Sequence, residues 1–203
     1  MIIMKDEQGS EPWKESRLGI PTASNFHLIV DTKGNPSKSR TKYLYNLAGE
    51  RISGQMSVDS FKTFHTERGN TVEPEARNEL SFILGEELET VGLCLADDGS
   101  FGMSPDALLR SQKVGFEVKC KSFFYHCEMV DAGKLPTDHF TQVQGGMLVS
   151  GYDHWVFFAY FPGAKPLLLK IKRDNDFCNR LQNELVLFNR ELDALVKKMS
   201  QSA

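Results

Sequence analysis

Apolar positions change their period several times along the chain, and each change predicts an element. Near the C-terminus Leu181, Leu185, Leu187, Phe188, Leu192, Leu195 and Val196 recur at helical spacing, predicting a long closing helix over residues 175–199. Residues 154–161, HWVFFAYF, are apolar without a break, which predicts a central strand buried on both faces. A second strand is expected over 167–172. Helices are expected over 122–132 and 137–149, the latter capped by Thr137. Earlier, the runs 89–96, 102–110 and 114–120 read as three strands, with glycine or polar turns between them as antiparallel neighbours require.

Ahead of those strands a helix is expected over 73–84, with Pro74 in its first turn and Glu73 and Glu75 complementing its dipole. Ala76, Leu80, Ile83 and Leu84 form its apolar stripe. Residues 11–29 suggest two short helical pieces broken at Gly19-Ile20-Pro21, with Thr22 capping the second. A loop over 31–39 follows, then a helix over 39–51 with Tyr43, Leu44, Leu47 and Ala48 on one face. The sum is an α/β fold, a central mixed β-sheet of about five strands flanked by helices.

A length of 203 residues suits one sizeable domain spanning 1–203. No apolar run approaches the roughly 20 residues needed to cross a bilayer. The N-terminus turns acidic and polar after three apolar residues, unlike a secretory signal, so a cytoplasmic protein is expected. Cys94, Cys120, Cys127 and Cys178 are scattered and form no CxxC pair, which argues for structural or incidental thiols over a disulfide framework or an iron–sulfur cluster. The net charge of −3 sits awkwardly with nucleic-acid binding, because phosphate neutralisation normally draws on surplus lysine and arginine. A protein of this balance that handles DNA must gather its positive charge locally or enclose its substrate.

Candidate chemistry changes the picture most around residues 102–120. Side chains alternate faces along a strand, so Phe116, Val118 and Cys120 share one face while Glu117 and Lys119 share the other. If the preceding strand pairs with this one, Asp106 arrives beside Glu117. Two carboxylates forced together repel unless a proton or cation lies between them, and Mg2+ suits such oxygen ligands. Lys119 would then orient the attacking water or stabilise the transition state. The spacing P-D-x(10)-E-x-K matches the PD-(D/E)xK nuclease signature. Glu73 is a further candidate, alone no more than a dipole partner. Gln142 and Gln144 point about 200° apart on a helix, so at most one of them can face a site.

Taken together these blocks resemble the lambda exonuclease family, the YqaJ-type phage recombination nucleases of the PD-(D/E)xK superfamily. Arg17-Leu18-Gly19-Ile20-Pro21-Thr22-Ala23-Ser24 matches an R-x-G-x-x-T-A-S block, and Gly69 to Arg77 matches G-x-x-x-E-x-x-A-R. Ser104-Pro105-Asp106, Glu117-Val118-Lys119-Cys120 and Gln142-Val143-Gln144 follow in order. The resemblance implies a restriction-endonuclease-like core and processive 5′→3′ digestion of duplex DNA. The products are mononucleotides and a 3′ overhang for recombination by strand annealing. A structure-specific or restriction-like endonuclease is the alternative, and a DNA-end-binding module without catalysis a more distant one.

By the same resemblance Asp106, Glu117, the Val118 carbonyl and Glu73 would serve metal, two Mg2+ ions with Mn2+ as a substitute. Lys119 would act on the nucleophile, Gln142 would place water or the scissile phosphate, and Arg17 and Ser24 would bind a 5′-phosphate. Implied partners are double-stranded DNA ends, a ring-shaped homotrimer and a single-strand annealing protein, in a bacterial host cell from a phage or prophage gene. Lys33, Lys38, Arg40 and Lys42 form a basic cluster that would grip the DNA backbone or simply be solvated. His139 either touches DNA or packs. Phe123, Phe124 and Tyr125 are expected in the core, with a substrate path or interface as the alternative. No phosphate-binding P-loop motif is present, so ATP is not expected.

Overall fold

The computed structural model describes residues 1–57 and 67–200. Its strands are β1 (Ile2–Ile3), β2 (Cys94–Leu95), β3 (Gly102–Met103), β4 (Ala107–Leu109), β5 (Val114–Lys119), β6 (His154–Ala159) and β7 (Leu167–Lys172). Its helices are α1 (Glu11–Ser16), α2 (Arg40–Ser53), α3 (Glu67–Leu84), α4 (Phe123–Ala132), α5 (Thr137–Ser150) and α6 (Asn175–Ser200), with a 3-10 turn at Ala23–Leu28. Among the described residues no helix is long and apolar enough to cross a membrane.

The fold is α/β with a mixed sheet flanked by helices. That sheet has four strands in the order β4-β5-β6-β7, with β5 and β6 parallel and the outer pairs antiparallel. A separate antiparallel ribbon, β1-β2-β3, stands beside it. The expected 102–110 strand is split between the two sheets. Pro105 is the reason: it lacks a backbone donor, so the ladder breaks there and the chain changes sheet. The expected 89–96 strand shrinks to β2 and one bridge from Glu89 to Leu108.

Both faces of the main sheet are covered, as the unbroken apolar run of β6 requires. Trp155, Phe157 and Ala159 face the larger core with the α2 and α6 residues Tyr43, Leu47, Leu181 and Phe188. Val156, Phe158 and Tyr160 face a second core with Phe116, Val118, Ala107 and the α3 residues Ala76 and Leu80. Cys120 packs at the edge of that second core, where alternation along β5 puts it. Leu167, Leu169 and Ile171 of β7 face inward while Lys170 and Lys172 are exposed, so this edge strand alternates as a half-covered strand should.

Several local expectations are corrected. The expected loop ahead of residue 73 falls partly outside the described residues, and the chain is already helical from Glu67, so Pro74 lies inside α3 rather than in its first turn. Thr22 precedes the 3-10 turn without capping it, because its hydroxyl accepts from Arg17 at 3.0 Å instead. Pro136, not Thr137, is the residue before α5. Ile83 and Leu187 face solvent, each one position off its helix's buried stripe. Phe123, Phe124 and Tyr125 are 55–65% exposed, and α4 buries His126 and Met129 instead.

Close approaches tighten the region around the site. A Cβ on Gly145 would meet the Phe26 ring at 2.5 Å, so glycine lets α5 lie directly on the 3-10 turn. A Cβ on Gly115 would meet the Trp155 indole at 2.3 Å, which fixes that ring between β5 and β6.

Candidate active site

Beyond Pro105 the β4–β5 ladder continues through a side chain. The Asp106 N–H donates to the Phe116 carbonyl at 3.2 Å, and the Val118 N–H then donates to Asp106 Oδ2 at 2.5 Å. Asp106 lies just outside the β4 register, and its bonds to Phe116 and Val118 bracket Glu117, so the two carboxylates stand side by side. The carboxylate thus takes the place of the missing main-chain acceptor. In a strand the N–H and C=O of one residue point to the same side, so the Val118 carbonyl also faces the gap past the end of β4. Lys119, on the same face as Glu117, forms an ion pair with it.

Glu73 approaches from α3 and is ion-paired with Arg77 one turn later. Its position is set by the middle of a helix, and the expected N-terminal dipole partnership does not apply. Tyr160, which follows β6, donates to Glu75 at 2.6 Å and ties the same turn of α3 to the sheet. A cleft of about 520 Å³ opens over this corner. Asp106, Glu117, Val118, Lys119, Glu73, Arg77, Gln142, Arg17 and Ser24 all line it.

Gln142 and Gln144 separate as helix geometry demands. Gln142 lines the cleft, whereas the buried Gln144 donates to the Lys172 carbonyl and accepts from the Asp174 N–H, joining α5 to the start of α6. Arg17 is buried over the Trp13 indole, 4.6 Å from its centroid, and donates to Ser104 Oγ at 2.8 Å and Thr22 Oγ1 at 3.0 Å. Burial pulls its guanidinium down to about 10. Trp13 also donates to Ser104 Oγ, at 3.1 Å.

Trp13, Ser104 and Arg77 received no role from the sequence. The i,i+4 spacing of Glu73 and Arg77, and the Ser10 cap ahead of Pro12 and Trp13, were the signals available for two of them.

The basic cluster does not act as one unit. Arg40 is ion-paired with Glu184 and Glu191 of α6 and lies over the Phe188 ring, so its fork is engaged within the fold. Lys33, Lys38 and Lys42 are exposed, and none of them lines the cleft. His139 packs over the Phe157 ring at 5.4 Å, and burial followed by the nearby Lys119 and Lys121 charges pushes it down to about 3. It is therefore neutral across the physiological range.

Electrostatics explain what the site demands. Burial pushes the Glu117 carboxyl up to about 7, with Asp106 and Glu73 adding repulsion against the opposing pull of Lys119. Asp106 and Glu73 are raised as well, again chiefly by burial. Burial alone would lower Lys119, but the surrounding carboxylates outweigh it and hold the ammonium charged. Three acids crowded into a poorly hydrated corner against two cations, Lys119 and Arg77, are short of positive charge.

A divalent cation fits that deficit, held by Asp106, Glu117 and the Val118 carbonyl with Glu73 nearby. Among the described residues no three carboxylate, imidazole or thiolate side chains close into a cage on their own. Five basic side chains among the described residues, Lys14, Arg17, Arg77, Lys119 and Lys121, line the cleft beside four acids, Glu7, Glu73, Asp106 and Glu117, so the cleft is less acidic than the chain as a whole.

Residues 12–153 match the YqaJ-like viral recombinase domain. The chain belongs to that family. Its fold is similar to that of LHK-Exo, an alkaline exonuclease from Laribacter hongkongensis solved alone and in complex with dAMP. Each comparison gives a TM-score of 0.83 and 27% identity, over 94% of this chain and 96% of that one. A phage-related exonuclease from Haemophilus somnus 129PT shares the fold at TM-score 0.69 and 16% identity, over 89% of this chain and 96% of that one. No curated protein matches the sequence. Family and fold together support a nuclease of the phage recombination type for this YqaJ-like chain.

Proposed function

We propose that this single domain is a Mg2+-dependent PD-(D/E)xK deoxyribonuclease. It digests linear duplex DNA processively from a 5′ end, releasing mononucleotides and leaving a 3′ single strand for annealing. The observation that carries this reading is the Asp106 carboxylate held on the Val118 N–H beside Glu117, with Lys119 ion-paired to Glu117. Bound metal, two Mg2+ ions or Mn2+ in their place, would acidify a water and neutralise charge on the phosphoryl oxygens. Asp106, Glu117 and the Val118 carbonyl would hold it, and Glu73 would serve it or its waters. Lys119 keeps its proton and directs it at the attacking oxygen or the developing charge. Gln142, which lines the same cleft, would help place the water or the scissile phosphate.

Arg17 and Ser24 receive a 5′-phosphate further along the same cleft. A guanidinium held rigidly by Trp13, Ser104 and Thr22 is well suited to a terminal phosphate, because little ordering remains to be done on binding. Enclosure of DNA by a homotrimer, and hand-over of the 3′ strand to a single-strand annealing protein in the bacterial host cell, complete the proposal. Enclosure would let an acidic chain remain on its substrate without a lysine-rich surface.

The test is release of nucleotides from a linear duplex labelled at one 5′ end, with Mg2+ and with chelator, beside a closed circular control. Cutting of the circle at the linear rate would replace the exonuclease with the endonuclease alternative. Lys119→Ala is expected to lower turnover by about 10²-fold or more while DNA binding persists. Unchanged turnover would refute the assignment of Lys119.

A further inference from the structure

The first ten residues lie ahead of the segment that matches the family, yet they form part of the cleft wall. β1 pairs with β2, and the Met4 N–H donates to the Leu93 carbonyl at 2.8 Å. The strap then passes over Gly92 so closely that a Cβ there would meet the Asp6 carbonyl oxygen at 2.3 Å. At its end Gln8 Nε2 donates to two carbonyls, Val91 and Pro105, each at 2.8 Å. Both acceptors are carbonyl oxygens, so only the amide's NH2 group satisfies them, and its two hydrogens match the two bonds. Ser10 follows and caps α1, which carries Trp13 to Ser104.

Pro105 is where the β4 ladder breaks, and the next residue is Asp106. The direction in which the chain leaves β5 sets where the Asp106 carboxylate lands. A proline carbonyl cannot be held through its own residue's N–H, and among the described residues the side-chain hydrogen bond it accepts comes from Gln8, 97 residues away in sequence. We infer that Gln8 is a positioning residue: through the Pro105 carbonyl it fixes the turn that delivers Asp106 Oδ2 to the Val118 N–H and to the metal position. The inference rests on the nuclease reading for its catalytic consequence, and on the fold alone for its geometric one.

Two variants and two readouts test it. Gln8→Ala removes both donors, and Gln8→Glu sets a carboxylate against two carbonyls, so the second is expected to be at least as impaired as the first. In metal-free protein, hydrogen exchange at the Val118 amide reads whether Asp106 still accepts from it, and Gln8→Ala is expected to accelerate it about tenfold. With Mg2+ and linear duplex, kcat is expected to fall about tenfold with KM within about twofold, because misplacing a reacting group costs rate rather than substrate binding.

Wild-type exchange at Val118 together with wild-type kcat would overturn the inference. A rise in KM with exchange and kcat unchanged would also overturn it, making Gln8 a DNA contact. If the wild-type protein itself shows no Mg2+-dependent hydrolysis, the nuclease reading fails. The Val118 exchange rate in Gln8→Ala then still decides the positioning.

Discussion

The charge deficit at the site predicts how folding stability responds to pH and metal. Glu117 is 4% exposed and its carboxyl is raised from 4.5 to about 7, chiefly by burial. Between those values the folded chain holds a proton that the unfolded chain has released, so the contribution of Glu117 to stability falls as pH rises. Each unit is worth about 1.4 kcal/mol, so the span amounts to about 3 kcal/mol. Asp106 and Glu73 are shifted in the same direction and steepen the fall.

His139 opposes it: held down to about 3, it refuses a proton that the unfolded chain accepts below 6.5, so its contribution rises with pH up to that point. The wild-type curve therefore mixes two slopes, and the informative quantity is the difference from Glu117→Gln. Lys119 stays charged throughout, so losing its partner offsets the variant by a constant amount.

Urea unfolding of both proteins in chelator from pH 4.5 to 8 is expected to favour the variant progressively, by about 3 kcal/mol across the range. Saturating Mg2+ at pH 8 should then stabilise the wild type by about 2.7 kcal/mol at a hundredfold excess over its dissociation constant, and the variant by less. A difference that stays flat with pH, or an equal response of both proteins to Mg2+, would refute the argument that these carboxylates wait for a cation.

The remaining predictions concern residues outside the carboxylate cluster. His139→Phe keeps a ring against Phe157 and removes a group that resists protonation. Relative to wild type it is expected to be more stable at pH 5 than at pH 8, by up to about 2 kcal/mol, measured by the same unfolding curves. Arg40→Ala breaks the clamp on Glu184, Glu191 and Phe188, and is expected to cost about 1 kcal/mol of stability while leaving the salt dependence of DNA binding unchanged. Lys38→Ala should leave stability alone and, if the Lys38 and Lys42 side chains touch phosphates, each alanine variant should reduce the salt slope by about 1.

Periodic features were legible in the sequence because period is a property of neighbouring residues. Alternation along β5 placed Glu117 and Lys119 together and sent Phe116 and Val118 to the core. Helical spacing found the buried stripe of α6 apart from Leu187, and the faces of α2 that carry Tyr43, Leu44, Leu47 and Ala48. The opposite directions of Gln142 and Gln144 followed from the helix alone.

The tertiary structure decided what depends on distant partners. Phe123, Phe124 and Tyr125 are as apolar as any core triplet, but among the described residues they stay more than half exposed, with only an edge contact from Phe123 to the Phe161 ring. Arg40 looked like a loop cation until α6 brought Glu184, Glu191 and Phe188 to it. The split of residues 102–110 between two sheets, and the Gln8 amide on Val91 and Pro105, have no period and no local spacing. They arise from registers set between segments far apart in the chain, which packing of the two cores fixes and local pattern does not encode.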